Sequence, residues 1–519
     1  MFKGFYKFAN NFMKWAGLLF TALIFVSAFV FSAHNAELSG HLFTIERDHL
    51  ILTALGMIFV FALGLLLYTI FKNNMQKSLK GFLIFTIVWY LVLCEYMAFF
   101  GRSMPNSDSW IVYAMAKQLA VGDLSIINPT TSYMSYYPQQ IGLCAFLSLF
   151  IRILGLFKVS IEEFHFLAAL YGIFECITIF FLYKTVDRLF ESQRINFVFL
   201  YLSLFNFPYI VYSSYIYGEI PALMFFSVGA FFLTRLFKEN GRPLLNIIFS
   251  TIFLALSVWV RKNSLILIIA VLIVLLFEAM AQKNFTLLLS ALLIGIASFS
   301  ILPLTVKYYE DKAGSTLSTG VTALSYVAMG MQETSGEGAS NPGWYNGFNF
   351  NTFENSGYDT ELANEISKEA IKNRIAEFKA NPSEALDFYK GKFITQWVDG
   401  TYFSLESTYV YYGARSDLLM SVYYGNGKTY YVYLCNLYQA IVFLGAFLYT
   451  LTGLFKTHKE PLWKSLLLIA VFGGFLFHMI WEANSRYIVT YACLLVPLAA
   501  AGFGRIFKGS YKKKRNFKS

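Results

Sequence analysis

Apolar residues along this chain gather into long runs almost free of charge, separated by short polar segments. A helix needs about 20 such residues to cross the hydrocarbon of a bilayer. Runs of this kind fall at 15–33, 50–71, 82–100, 164–184, 195–213, 219–237, 244–260, 263–281, 285–304, 432–455, 465–481 and 487–507, which predicts twelve membrane-spanning helices. The first run follows Lys3, Lys7 and Lys14, as a signal peptide would. It is longer than an ordinary signal core and lacks a small-x-small cleavage pattern, so it reads as an anchor. A thirteenth apolar run covers 138–157.

Lysine and arginine give these spans a direction, because they concentrate on the cytoplasmic side. With a cytoplasmic N-terminus, 23 of the 41 fall in inside segments, 8 in short outside segments and 10 in the long 305–431 segment. Both termini are therefore expected in the cytoplasm. The count holds only if 138–157 does not cross, unless an earlier weak span is miscounted, so this run is expected as a re-entrant or juxtamembrane helix on the outer face. Two outer segments are long enough to build structure: 101–139, and 305–431 with a net charge of −5. The second carries Gly/Ser/Asn-rich turns at 334–347, a polar helical stretch over 360–379 ending at Asn381-Pro382, and a tyrosine-dense end from Tyr402 to Tyr433.

Composition narrows the class. Of 519 residues 57% are hydrophobic and 14% charged, with a mean hydropathy of +0.53. Soluble domains carry about 25% charged residues, which excludes a soluble enzyme, a disordered chain and a polar-surfaced nucleic-acid binder. The net charge of +10 belongs to the positive-inside pattern, with no nucleic-acid partner implied. Cys94, Cys144, Cys176, Cys435 and Cys493 sit in apolar stretches without CxxC spacing and read as buried thiols. Aromatics at 19% suit interfacial belts or sugar-stacking surfaces. No internal repeat, P-loop, GxGxxG or HExxH is present, which argues against nucleotide hydrolysis as an energy source.

Five polar places stand out against this background. Asp108, in Asn106-Ser107-Asp108-Ser109-Trp110, opens an amphipathic pattern that closes at Gly122-Asp123. It reads as a helix cap, shared with Ser107, or as a general base at the membrane surface, and the two are compatible. Tyr137 lies in Tyr133-Met134-Ser135-Tyr136-Tyr137-Pro138, which suits an interfacial turn or an aromatic belt. Tyr217 and Glu219 lie in Tyr215-Ile216-Tyr217-Gly218-Glu219-Ile220-Pro221. An acid entering an apolar helix caps it, pairs, or faces a wet cavity. Arg261 and Lys262 are adjacent cations on the side the charge rule disfavours, which calls for an anion: a lipid headgroup, or a specific phosphate. Glu482 and Arg486, four apart, are placed to pair on one helix face.

Taken in order, these residues resemble the GT-C superfamily of polytopic glycosyltransferases. The nearest likeness is to the bacterial branch related to protein O-mannosyltransferases and lipid A aminoarabinose transferases. The pattern runs Asp108, Tyr113, Ala116, Leu119 and Gly122, then Tyr137-Pro138, Glu219-Ile220-Pro221, Arg261 and Arg486-Tyr487. It departs from the family in two extra leading spans, in Asp108-Ser109 where a double acid is usual, and in Glu219 where Asp is commoner. The resemblance implies a GT-C-like all-α bundle: two extra helices over 1–81, a catalytic core over 82–304 with its outer loop 101–139, a large extracytoplasmic loop domain over 305–431, closing helices over 432–507 and a basic cytoplasmic tail over 508–519. It implies transfer of a sugar from a polyprenyl-phosphate donor to a hydroxyl of a cell-envelope polysaccharide, teichoic acid, lipid or protein on the outer face of the plasma membrane, with inversion. Asp108 would be the base and Glu219 would orient sugar or acceptor. Arg261, Lys262 and Arg486 would hold the donor phosphate, and Tyr137, Tyr217 and Glu482 would line the substrate site. No cofactor and no metal is expected, the lipid-linked sugar being a substrate and Asp108 lacking an Asp-x-Asp partner. A polyprenyl-linked glycan flippase or exporter, or a polymerase or ligase of lipid-linked glycans, would share the basic polytopic character.

Overall fold

A computed structural model describes residues 2–35, 37–39, 43–130, 132–157, 162–238, 242–333, 341–455 and 460–506. The 334–340 part of the Gly/Ser/Asn-rich turns, Lys158, Lys456, Lys459 and the basic tail from 507 lie outside these residues. The chain is an all-α polytopic membrane protein: eleven helical stretches are long and apolar enough to cross a bilayer. One of them, Leu50–Gly101, runs for 52 residues, about 78 Å if straight. It is two helices: the ring of Phe71 lies 5.6 Å from that of Phe82, where a straight helix would separate them by about 16 Å. The chain reverses at Lys72–Asn74, as the polar break in the apolar pattern predicts.

The run at 195–213 is a helix in two pieces, Gln193–Ser203 and Phe207–Tyr212. Pro208 offers no N–H to the Leu204 carbonyl four residues before it, which interrupts the helix there, and it sits in the first turn of the second piece. The carbonyls of Ser203 and Leu204, at the break, accept from Tyr90 Oη at 2.9 Å and Trp89 Nε1 at 3.1 Å. One end abuts Gly504 through Ile195, and the other end bonds the Tyr402 carbonyl through Tyr212. The pair thus traverses the bundle although neither piece is long enough alone.

The helix Ile141–Phe157 runs beside Ser107–Val121 in the same direction: Cys144 Sγ approaches the Val112 carbonyl, and Arg152 Nε donates to Ala120 O at 3.0 Å. Both of its flanks lie at one end of the bundle. Before it, the Tyr136 carbonyl accepts from Val321 N; after it, Glu163 meets Tyr113 and Lys117 at 2.6 and 2.8 Å. The chain does not change ends across it, although its length and apolarity would suffice.

Tyr6 bonds Glu278 and Leu462 N, while Asn10 and Arg505 both reach Glu460. The first and last helices therefore meet at the end opposite the 305–431 segment. That segment is helical: Ala323–Gly330, Phe348–Asn355, Thr360–Ala380, Pro382–Trp397, Ser404–Thr408 and Asp417–Tyr424. Asp359 caps the polar helix by accepting from Glu361 N at 2.8 Å, and Asn381-Pro382 ends it and starts the next. A two-stranded hairpin, Phe31–Asn35 with Phe43–Arg47, packs Phe43 against Trp344. The span expected over 15–33 thus gives way to a strand after Val30, because five-residue strands flanked by apolar helices carry no separable period.

Candidate functional site

Five segments meet at the loop-domain end and carry the five polar places singled out above. Asp108 is the second residue of helix Ser107–Val121 and is half-buried. The cap expected of it, or of Ser107, belongs to other residues: Asn106 is the N-cap, and its N–H donates to Ser109 Oγ at 2.9 Å. Asp108 makes no hydrogen bond or ion pair among the described residues. Ser107 before it holds φ at 46°, the left-handed region.

Glu219 begins helix Glu219–Leu236, and its side chain is 2% exposed. Gly218 lets the turn come close, since a Cβ there would lie 2.7 Å from the Val260 carbonyl. Arg261 Nη1 lies 2.6 Å from Glu219 Oε1 and Arg486 Nε lies 3.7 Å from it. Both approaches are off the line of a hydrogen bond, so the two Glu219 oxygens keep acceptor capacity. Two guanidiniums on one carboxylate leave a local charge of +1, and burial of such ions is tolerated only because they are paired. Arg486 Nη1 also donates to Tyr215 Oη at 2.7 Å and packs over the rings of Tyr217 and Tyr487 at 5.5 and 5.3 Å. Lys262 is exposed and makes no ion pair among the described residues. The two adjacent cations thus part company: Arg261 joins the cluster, and Lys262 does not.

Glu482 and Arg486 do not pair along one helix face. Residues 481–484 are irregular, and Asn484 caps the following turn by accepting from Arg486 N at 2.8 Å. Glu482, buried, accepts instead from Tyr487 Oη at 2.8 Å. Burial raises its carboxyl to about 7, against the opposing pull of Tyr487 and Arg486. Tyr217 Oη accepts from Gln140 Nε2 at 2.5 Å, which ties the Ile141–Phe157 helix to the cluster. Asp108 lies within electrostatic reach of Tyr137, Tyr217, Tyr487 and Glu482. The structure therefore gathers Asp108, Tyr137, Tyr217, Glu219, Arg261, Glu482 and Arg486 in one polar neighbourhood.

Sequence reasoning missed several members. Tyr345, in the loop domain, lies within electrostatic reach of Asp108 and Glu482. His478 stacks on Tyr487 at 5.3 Å. Lys392 is fully buried and donates to the carbonyls of Gly330 and Trp481 at 2.5 and 2.7 Å, pinning the loop domain to the Glu482 turn. Burial depresses its ammonium to about 7, with Glu482 pulling the other way. In the sequence Lys392 stands among the charged residues of a polar helix, and nothing local separates it from its exposed neighbours.

No family model and no curated protein matches this chain. Among solved structures it is similar to the archaeal oligosaccharyltransferase AglB from Archaeoglobus fulgidus, in complex with an inhibitory peptide and a dolichol-phosphate, at 12% identity and a TM-score of 0.43. The alignment covers 84% of this chain and 51% of that one, so the chain spans about half the length of the structure it matches.

Proposed function

We propose that this chain is an extracytoplasmic membrane glycosyltransferase of the GT-C kind, near the protein O-mannosyltransferase and aminoarabinose transferase branch. It would take a sugar from a polyprenyl phosphate and pass it to a hydroxyl of a cell-envelope polysaccharide, lipid or protein. The observation that carries this reading is an Asp108 carboxylate with no partner among the described residues, within electrostatic reach of Tyr215 and Tyr217, which pack on the buried Glu219–Arg261–Arg486 cluster of net positive charge. A hydroxyl is a poor nucleophile near neutral pH, so a carboxylate takes its proton as the new bond forms. The acceptor oxygen attacks the anomeric carbon, the bond to the phosphate oxygen breaks, and that oxygen leaves with the electron pair. The phosphate needs no general acid. Arg486 and Arg261 stabilise its charge, Glu219 holds the two guanidiniums apart, and attack from the opposite face inverts the centre.

The interrupted helix at 204–206 favours one rival, a lipid-linked glycan flippase, because transporters build their sites on broken helices. Here the carbonyls at the break are bonded to Trp89 and Tyr90, which closes the break. The test is radiolabelled sugar transfer by the purified protein in liposomes, from polyprenyl-phosphate-linked sugar to cell-envelope acceptor fractions. Transfer is expected from the lipid donor and not from a sugar nucleotide. Movement of the labelled lipid between leaflets with no transfer would decide for the flippase.

A further inference from the structure

Residues 399–416 touch three of the five segments that build the site, yet contribute none of the residues assigned a role in it. On one side lies the loop leading to Asp108. Met104 N donates to Val410 O at 2.8 Å, Tyr412 N to Arg102 O at 3.1 Å, and Ser416 N to Phe100 O at 3.1 Å. Asn106 Nδ2 reaches Ser407 O at 3.3 Å. Arg415, 6% exposed, donates from Nε to Gly101 O at 2.6 Å and from Nη2 to Ser103 Oγ at 3.2 Å and Thr408 O at 3.0 Å. Its guanidinium lies over the rings of Tyr423 and Tyr411 at 4.0 and 4.6 Å, which fixes its plane. Five residues beyond Gly101 comes Asn106, then the left-handed Ser107, then Asp108. A non-glycine residue keeps that conformation only where its surroundings over-determine it.

On the other side lies the turn bearing Arg486. Asp399, 1% exposed, accepts four bonds: Thr401 N at 2.9 Å, Thr401 Oγ1 at 2.6 Å, Phe403 N at 2.9 Å and Ser485 Oγ at 2.7 Å. These hold Tyr402 and Phe403 at φ of 51° and 61°. Ser485 is the residue before Arg486. The third turn joins through Tyr402 O, which accepts from Tyr212 Oη at 2.5 Å, just ahead of Tyr215 and Tyr217.

We propose that residues 399–416 are a strap that sets the two halves of the site in register, with Arg415 positioning Asp108 and Asp399 positioning Arg486. The assignment rests on the roles given above to Asp108 and Arg486. It makes a prediction that a purely structural role does not: the two residues should fail in different ways. Arg415 governs the group that takes the proton, so its loss should lower turnover. Asp399 governs the group that holds the phosphate, so its loss should lower affinity for the lipid.

The experiment uses the full chain in lipid nanodiscs, with polyprenyl phosphate as the binding probe and polyprenyl-phosphate-linked sugar for turnover at saturation. Arg415→Lys keeps the charge but not the fork. It is expected to cut turnover by about tenfold or more while lipid affinity stays within about twofold, since small misplacement of a reacting group is costly. Asp399→Asn is expected to weaken lipid affinity by about tenfold or more, on the scale of one charged hydrogen bond. Amide exchange should quicken over 98–110 in the first variant and over 481–488 in the second. Where either variant fails to fold, Ser103→Ala and Ser485→Ala each delete a single strap bond and should show the same division at smaller size. Equal loss of turnover and affinity in both variants, or exchange quickening alike in both regions, overturns the strap. Wild-type transfer by Asp108→Asn would instead overturn the functional reading, with the exchange pattern still reporting on the strap.

Discussion

At Glu482 the structure sets burial against two favourable contacts, and burial wins. Its carboxyl moves from 4.5 to about 7, although Tyr487 donates to it and Arg486 is near. A raised acid pKa means that the native state holds the proton longer than the unfolded chain. Stability from this group is fully present below about pH 4.5 and is lost as pH rises through about 7. Glu482→Gln keeps an acceptor for Tyr487 and removes the ionisation. Thermal unfolding of the variant should therefore lose this part of the decline between pH 4.5 and 7. Lys392 has the opposite sign: its depressed ammonium adds stability above about pH 10.5 that is lost as pH falls through about 7. The Glu482→Gln scan is accordingly kept below that point. The residue types at the site were legible in the sequence because a bilayer makes charges costly, so Asp108, Glu219, Arg261 and Arg486 stood out from apolar surroundings. Their partners were not. Nothing four residues from Glu482 showed that it would choose Tyr487, because the irregular backbone at 481–484 breaks the helical spacing.

Among the elements, length and apolarity located the long helices but said little about what they do at their ends. The turn at Lys72–Asn74, the amphipathic helix closing at Gly122 and the polar helix capped by Asp359 all follow from local residues. The position of Ile141–Phe157 came from the arithmetic of charge on the loops and not from the run itself, which is apolar enough to cross. The strap of 399–416 was visible only as a density of tyrosine, since its partners lie about 300 residues earlier and strand-like pairing at that distance leaves no periodic trace. One element-level packing contact is open to direct test. A Cβ on Gly142 would come within 2.0 Å of the Trp259 carbonyl, a backbone atom that cannot rotate away. Gly142→Ala should therefore separate the Ile141–Phe157 helix from the end of Pro243–Val260, and cost about 1–3 kcal/mol, the usual range for overpacking. An unchanged melting temperature in detergent would show that the helix sits further out.

Taken whole, the molecule has one end where the first and last helices meet and another where the loop domain, the strap and the polar cluster are assembled. The bias of lysine and arginine predicts that the first end is cytoplasmic. Single cysteines at exposed Ser383 and Asn73 test this on intact cells. A membrane-impermeant maleimide should label the first and not the second, and the reverse would turn the molecule over. Under the proposed function the acceptor would lie outside and Asp108 would face it, with no capping duty that a substitution would disturb. Asp108→Asn is therefore the most direct measurement of the central claim. The amide keeps the size of the carboxylate and cannot take the proton. Sugar transfer from the polyprenyl-phosphate donor should fall by about 10²–10⁴-fold, the usual contribution of a general base, while binding of the donor stays at the wild-type level. Transfer within about threefold of wild type would contradict it, since that lies far below the contribution of such a base.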